Sequence, residues 1–277
     1  MRNVNVDLRL LKRRLHYLTL LPFSLWACSQ QSFSGSEIQS KDILLLGEFH
    51  GTQEVGTILN EMVSEQRKTS AVAIGLEAPR CALVKIFPKE KILSLSGDEG
   101  KTCDLSALEM GRISDALFTT VSKLIDDADI KIFGLEDHEG RTFRISNEAW
   151  DANEWEAHVG DRILNVQNRE YKVTAIIGNI HARKTNYQFD GPSVKPLGAR
   201  ISDKALTIGL SPRSGGYAYA CQTADHCSVM EIPASSNDNP NGLDCSIGRP
   251  QYDCIYTVEK YTAAKPLEPF FLDKNSK

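Results

Sequence analysis

The stretch Ile43-Leu44-Leu45-Leu46-Gly47-Glu48-Phe49-His50-Gly51 decides the fold, because it changes character within one step. Four consecutive apolar residues, Ile43 to Leu46, read as a short strand buried on both faces, and the glycine, acid, aromatic and histidine after them cannot continue that burial. A polar cluster therefore stands at the strand's C-terminal end. Working outward, the same event recurs three times. The run 71–76 ends at Glu77, the run 130–135 ends at Glu136 and Asp137, and the run 173–177 ends at Gly178-Asn179-Ile180-His181. In a parallel sheet such ends lie side by side, over the crevice where open α/β folds bind ligands.

The segments between these runs carry the other half of an α/β pattern. Val55, Ile58, Leu59, Met62 and Val63 predict an amphipathic helix over 53–66. Leu105, Leu108, Ile113, Leu117, Val121, Leu124 and Ile125 predict the longest helix, over 105–127. A third is expected over 147–168 on Trp150, Trp155, Val159, Ile163 and Leu164, with Gly160 as a weak point in its middle. Residues 79–103 read as loops over the strand ends, 205–210 as a fifth strand and 252–261 as a last, edge strand. Strand and helix alternate, which implies an α/β fold: a central mostly parallel sheet with helices on both faces. Residues 41–277 then form a single domain. Within it, 211–254 is rich in Gly, Ser, Asn, Asp and Pro and holds four cysteines, so it reads as a disulfide-rich, loop-rich excursion from the sheet.

Composition bounds the function. At 41% hydrophobic and 25% charged, 277 residues can bury a sizeable core. The formal charge is −4, but the first 27 residues hold five bases and one acid; removing them leaves 27 basic against 35 acidic side chains, a net of −8. An acidic body argues against nucleic acid as a partner, since phosphate contacts need clustered Lys and Arg. Lys12-Arg13-Arg14 followed by the uncharged, mostly apolar run Leu15–Ala27 has the order of an export signal and is too short to span a membrane. It ends at Leu25-Trp26-Ala27-Cys28, which resembles a bacterial lipobox, although Trp26 replaces the usual small residue. Residues 1–28 are therefore expected to be an export segment with Cys28 as lipidation site, 29–40 a Ser- and Gln-rich tether, and the location the bacterial envelope, whether periplasm or outer membrane, or the exterior. The six remaining cysteines suit disulfides in an oxidising compartment better than zinc, having no C-x-x-C spacing. Nearest-neighbour pairing gives Cys81 with Cys103, Cys221 with Cys227 and Cys245 with Cys254.

His50 and His181 each stand three residues after a glycine, in Gly47-Glu48-Phe49-His50 and Gly178-Asn179-Ile180-His181, with Glu77 ending the strand read between them. Over about residues 42–210 this pattern resembles the erythromycin esterase, Tiki and TraB superfamily, which also holds the ChaN-like iron-regulated lipoproteins. The resemblance implies a functional trio of His50, Glu77 and His181, with Glu48 as the acid of the first motif. In the esterase members such residues look like activators of a hydrolytic water, and in the Tiki members like metal ligands.

The chemistry stands without the name. Imidazoles and carboxylates at strand ends serve as general bases near neutral pH or as ligands of a divalent metal, here His50, Glu77 and His181. Arg183, with Lys184 beside it, could hold a substrate carboxylate or an oxyanion. Asp137 is a further substrate-binding candidate, with Glu136 and His138 as wall; for Arg162, as for Arg183 and Asp137, a plain surface charge is the competing role. Bland roles compete: Glu48 as a helix cap, Glu77 paired with Arg80 or Arg183, His158 and His226 as structural or exposed, Trp150 and Trp155 as core. The leading expectation is an exported or membrane-anchored hydrolase, metal-dependent or not, cleaving an ester or amide in a small molecule or peptide. The alternatives are a haem- or iron-binding ChaN-like lipoprotein, with Tyr171 and Tyr187 as axial candidates, and a non-catalytic exported interaction protein.

Overall fold

Burial on both faces, expected of β1 (Ile43–Glu48), holds for all six of its residues. The same is true of β2 (Val72–Pro79), β4 (Lys172–Gly178) and β5 (Ala205–Pro212), and β3 (Ile130–Glu136) departs from it only at Lys131. This computed structural model describes residues 35–100, 111–136, 151–188, 191–223, 226–235, 240–246 and 250–267, together with Cys103, Leu105 and Leu108. The basic and apolar export segment, Cys28, Asp137, His138 and Trp150 lie outside the described residues.

The strands form a seven-stranded sheet in the order β3-β2-β4-β1-β5-β9-β8, where β8 is Gly242–Asp244 and β9 is Cys254–Val258. Every pairing is parallel except β8 with β9. The expected edge strand over 252–261 is thus an inner strand, and the three residues of β8 form the edge. A separate antiparallel hairpin joins β6 (Gly216–Thr223) to β7 (His226–Ile232). Much of the segment expected to be loop is therefore paired strand, and its alternating Tyr217-Ala218-Tyr219-Ala220 is a period-2 pattern that the polar composition around it masks.

Helices cover both faces. Beside α1 (Gly35–Ser40), α2 (Glu54–Arg67) buries Val55, Ile58, Leu59, Met62 and Val63, the predicted stripe. Its Gln66 is also buried and accepts 2.5 Å from Thr174 Oγ1 of β4, so a polar pair inside the core has its hydrogen bond. After α3 (Arg80–Leu83), the predicted helix over 105–127 is shorter than expected: α4 spans Asp115–Leu124. Gly111 adopts φ +71°, which stops helical propagation, and Ser114 restarts it by accepting from the Leu117 N–H. On the opposite face α5 (Ala152–Gln167), capped by Asp151, packs Trp155, Val159, Ile163 and Val166 onto Ile43, Leu45, Val173, Ala175 and Ile177. Gly160 in its middle makes room for α6 (Leu197–Arg200), since a Cβ there would stand 3.3 Å from Leu197 Cδ1.

The end of the expected tether is helical. Ile38 of α1 is fully buried and Gln39 Nε2 donates to Glu65 Oε2 of α2 at 2.8 Å, because one apolar side chain in a polar run suffices to dock the turn. Disulfides join Cys81 to Cys103 and Cys245 to Cys254, as nearest-neighbour pairing predicts, and the β6–β7 register sets Cys221 opposite Cys227. Two disulfides fit an oxidising, extracytoplasmic environment. Among the described residues no helix is long and apolar enough to cross a membrane.

Candidate active site

Strand order explains why residues far apart in sequence meet. β4 lies between β1 and β2, and the register sets Glu48 opposite Gly178 at its end. Gly178 has no side chain, so His50 and Glu77 reach across it from either side. His50 Nε2 lies 3.5 Å from Glu77 Oε2, and that same oxygen accepts 2.9 Å from the Gly178 N–H. A Cβ built on Gly178 would stand 3.3 Å from His50 Nε2, 3.3 Å from His181 Cδ2 and 3.8 Å from Glu77 Oε2. The three predicted residues therefore converge on one point. β2 shifts register between Leu76 and Pro79, an irregularity that re-aims Glu77 toward that point.

The two imidazoles are wired differently. His50 stands between carboxylates, with Nδ1 3.0 Å from Glu48 Oε1 and Nε2 beside Glu77. Burial works against charge on His50, but Glu77 and Glu48 outweigh it and push its pKa up to about 10. At neutral pH it is an imidazolium. Burial likewise works against charge on Glu77, but Arg112, His50 and His181 hold its carboxyl well below the usual carboxylate range. Arg112 is itself buried and spans 3.2 Å to Glu77 Oε1 and 2.8 Å to Glu136 Oε1, so Glu136 acts on the site through a guanidinium.

His181 is hydrogen-bonded at Nδ1, at 2.6 Å, to Glu156 of α5, which is fully buried. Glu156 Oε1 also accepts from the Tyr187 hydroxyl at 2.9 Å, and its Oε2 accepts from the Leu197 N–H at 2.8 Å. With three donors converging on Glu156, the network assigns a ring proton to Nδ1, which makes Nε2 the nitrogen available to exchange one. The Trp155 ring, 4.5 Å from the His181 centroid, fixes the plane. Burial and Glu156 together raise the Tyr187 phenol above its usual range, keeping it a donor.

These groups open on a cavity of about 460 Å³. Glu48, His50, Glu77, Arg112, Asn179 and His181 supply its polar end, while Phe49, Ile180, Ala218, Ala220, Met230 and Ile232 supply apolar wall. The last four belong to the β6–β7 hairpin. It is fastened to the first motif through Gly51, at φ +72°, whose carbonyl accepts from the N–H groups of Tyr219 at 3.0 Å and Ala264 at 2.7 Å.

Other candidates stand elsewhere. Arg183 Nε donates to the Tyr252 hydroxyl at 3.4 Å and Lys184 pairs with Asp253; neither lines the cavity. Arg162 is a buried clamp, bonding Gly134 O, Ser96 O and Asp98. Tyr171 packs against the core and Tyr187 serves Glu156, so the axial ligands expected for haem do not reach the cavity. A divalent metal fits poorly. Both nitrogens of His50 face carboxylates and Glu77 already holds Arg112. Among the described residues, the set of three His, Cys, Asp or Glu donors lying mutually within 4.8 Å is Glu37, Cys245 and Cys254, two of them joined in a disulfide. Sequence reasoning missed Arg112, Glu156 and the hairpin. Glu156 was detectable as a charge among Ala152, Val159, Gly160 and Ile163 on the buried face of α5.

The sequence matches no protein-family model and no curated protein. Among solved structures, the chain is similar to a mutant of the erythromycin esterase EreC in its open conformation, at 13% identity and a TM-score of 0.51, over 82% of this chain and 92% of that one. It is also similar to a succinoglycan biosynthesis protein, at 13% identity and a TM-score of 0.56, over 84% of this chain and 91% of that one. At such identity the likeness is one of fold, and the α/β fold that the resemblance to the erythromycin esterase group implies is borne out.

Proposed function

We propose that this chain, which shares the fold of an erythromycin esterase, is a hydrolase that cleaves an ester or amide bond by acid–base chemistry. The observation that carries the reading is the unequal wiring of two imidazoles over one cavity: His181 held by Glu156 with Nε2 as its basic end, and His50 held as a cation by Glu48 and Glu77. Two titratable groups given unlike partners are how a site supplies an acid and a base at one pH. In this reading His181 Nε2 takes a proton from water as the water oxygen bonds to the carbonyl carbon. His50 gives a proton to the departing oxygen or nitrogen as the carbon–heteroatom bond breaks. The two histidines then exchange the proton through solvent. Arg112 keeps Glu77 anionic, and Glu77 keeps His50 charged.

The proposal extends to an exported protein acting on a small molecule or peptide, anchored to the envelope membrane through a lipid on Cys28. The disulfides support an oxidising compartment, and the basic, apolar and cysteine order of residues 12–28 supports the anchor. Fatty-acid labelling in a bacterial host, lost in Cys28→Ala, tests that part.

The test of catalysis is turnover of an ester and anilide panel by wild type, His181→Ala and Glu156→Gln. Loss of a general base lowers kcat by about 10² to 10⁴. Unchanged turnover by folded His181→Ala protein refutes the reading. Loss of activity on chelation, restored by a divalent ion, would replace it with a metal-dependent one.

A further inference from the structure

We infer that the β6–β7 hairpin is the specificity element of this site and that its inner face takes a compact apolar group, acyl or alkyl, of an uncharged substrate. The inference rests on the hydrolase reading and deepens it.

Strand geometry sets the inner face. Ala218 and Ala220 stand two apart on β6, Met230 and Ile232 two apart on β7, and the antiparallel register sets Ala218 opposite Met230 and Gly216 opposite Ile232. All four side chains line the cavity, while Tyr217 and Val229, one position out of phase, are 47% and 59% exposed. The hairpin lies outside the seven-stranded sheet, so this inner face packs over the cavity, not over a helix. Phe49 and Ile180 face the same space from the two motif loops. An apolar wall joined to a polar catalytic end is the build of a small-molecule pocket, and about 460 Å³ is toward the small end of such pockets. Two alanines beside a methionine leave width for a substituent, and the unbranched Met230 side chain can adjust to its length.

Charge narrows the class further. Glu48 and Glu77 are in the lining, and the cations there are committed: Arg112 to Glu77 and Glu136, His50 to both lining carboxylates. Arg183 bonds Tyr252 away from the cavity. An anionic substrate would meet two carboxylates and no uncommitted cation among the described lining residues. A neutral ester or amide meets no such penalty.

The experiment uses 4-nitrophenyl esters from acetate to decanoate, and separately the calorimetric affinity of uncleaved aliphatic amides from acetamide to octanamide, on wild type, Ala220→Leu and Met230→Ala. For the wild type, kcat/KM and affinity rise roughly three- to fivefold per methylene until the cavity fills, then fall. Ala220→Leu moves the optimum to shorter chains, with at least a tenfold loss on the wild type's best ester, and Met230→Ala moves it to longer ones. Ester cleavage with no chain-length dependence, or variants that leave the profile in place, overturns the inference while the hydrolase reading stands. If neither these esters nor the matching 4-nitroanilides are cleaved, the hydrolase reading fails. Amide affinity then decides the subsite: a rise with chain length that Ala220→Leu abolishes supports it, and flat affinity overturns it. Octanoate binding more tightly than octanamide would overturn the preference for uncharged substrates.

Discussion

Replacing Gly178 by alanine should disable the site while sparing the fold. Gly178 is absent from the glycines with positive φ, so its backbone accepts an L side chain. The new methyl would stand 3.3 Å from both His50 Nε2 and His181 Cδ2, and 3.8 Å from Glu77 Oε2. The first two contacts are a few tenths of an ångström too close, so both rings must tilt. The cavity beside them gives room for that, which puts the stability cost near the low end of overpacking, about 1 kcal/mol. For a chain of this size the cost lowers Tm by about 2–4 °C. The chemical cost is larger, because the methyl occupies the space between the two imidazoles where a water would be activated. A drop in kcat/KM of about 10² to 10⁴ is expected. The assay is steady-state turnover of the best ester, with thermal denaturation and circular dichroism on the same samples. Gly191→Ala is the control, since a Cβ there meets nothing within 4 Å. A folded Gly178→Ala protein within about threefold of wild-type kcat/KM would show that the convergence of His50, Glu77 and His181 is not where the reaction occurs.

Three other outcomes follow from the same geometry. The folded-state pKa of His50 is raised to about 10 from an ordinary 6.5, so its ion pairs stabilise fully below about 6.5 and the stabilisation is lost as pH rises through about 10. Tm should fall across that window and the fall should flatten in His50→Gln, while an imidazole titrating near 6.5 by NMR would contradict the clamp. Glu156→Gln puts an amide where three donors converge, so kcat should drop at least a hundredfold, with the His181 proton moving from Nδ1 to Nε2 in nitrogen-15 spectra. Tyr261 buries a hydroxyl that has no hydrogen-bond partner among the described residues, so Tyr261→Phe should leave stability unchanged or raise it by about 1 kcal/mol; a Tm loss of more than about 4 °C would reveal a bound water or other partner.

What the sequence disclosed and what it hid divide along physical lines. The five parallel strands β1 to β5 were legible because strands buried on both faces must be continuously apolar, and Glu48, His50, Glu77 and Gly178 were legible as breaks in that rule. The helix over 105–127 was misread because apolar spacing continues across Gly111, whose positive φ and the Ser114 cap leave Arg112 in the non-helical stretch before α4, from which it reaches Glu77. Glu156 resembled any acid on a helix until α5 was docked with that face against the sheet. Arg183 was chosen for being close to His181 in sequence, but the chain turns there, and its side chain goes to Tyr252. The hairpin was hidden by composition, since glycine, serine and cysteine outweighed the alternation of tyrosine and alanine.

The fastening at Gly51 ties the first motif loop to residues far downstream. The residue after His50 is held by Tyr219 and Ala264, and Gln53 N–H donates 2.9 Å to Thr262 O, so the loop bearing the first imidazole is braced by a segment more than two hundred positions downstream. Bringing such distant partners together is an entropic cost met late in folding, after the local strand–helix units have formed. A nascent chain halted near residue 250 would already contain His50, Glu77, His181 and the hairpin, yet lack the brace that holds the first histidine under its roof. The order of the first motif loop therefore waits on pairings that form only once residues 262–264 have reached it.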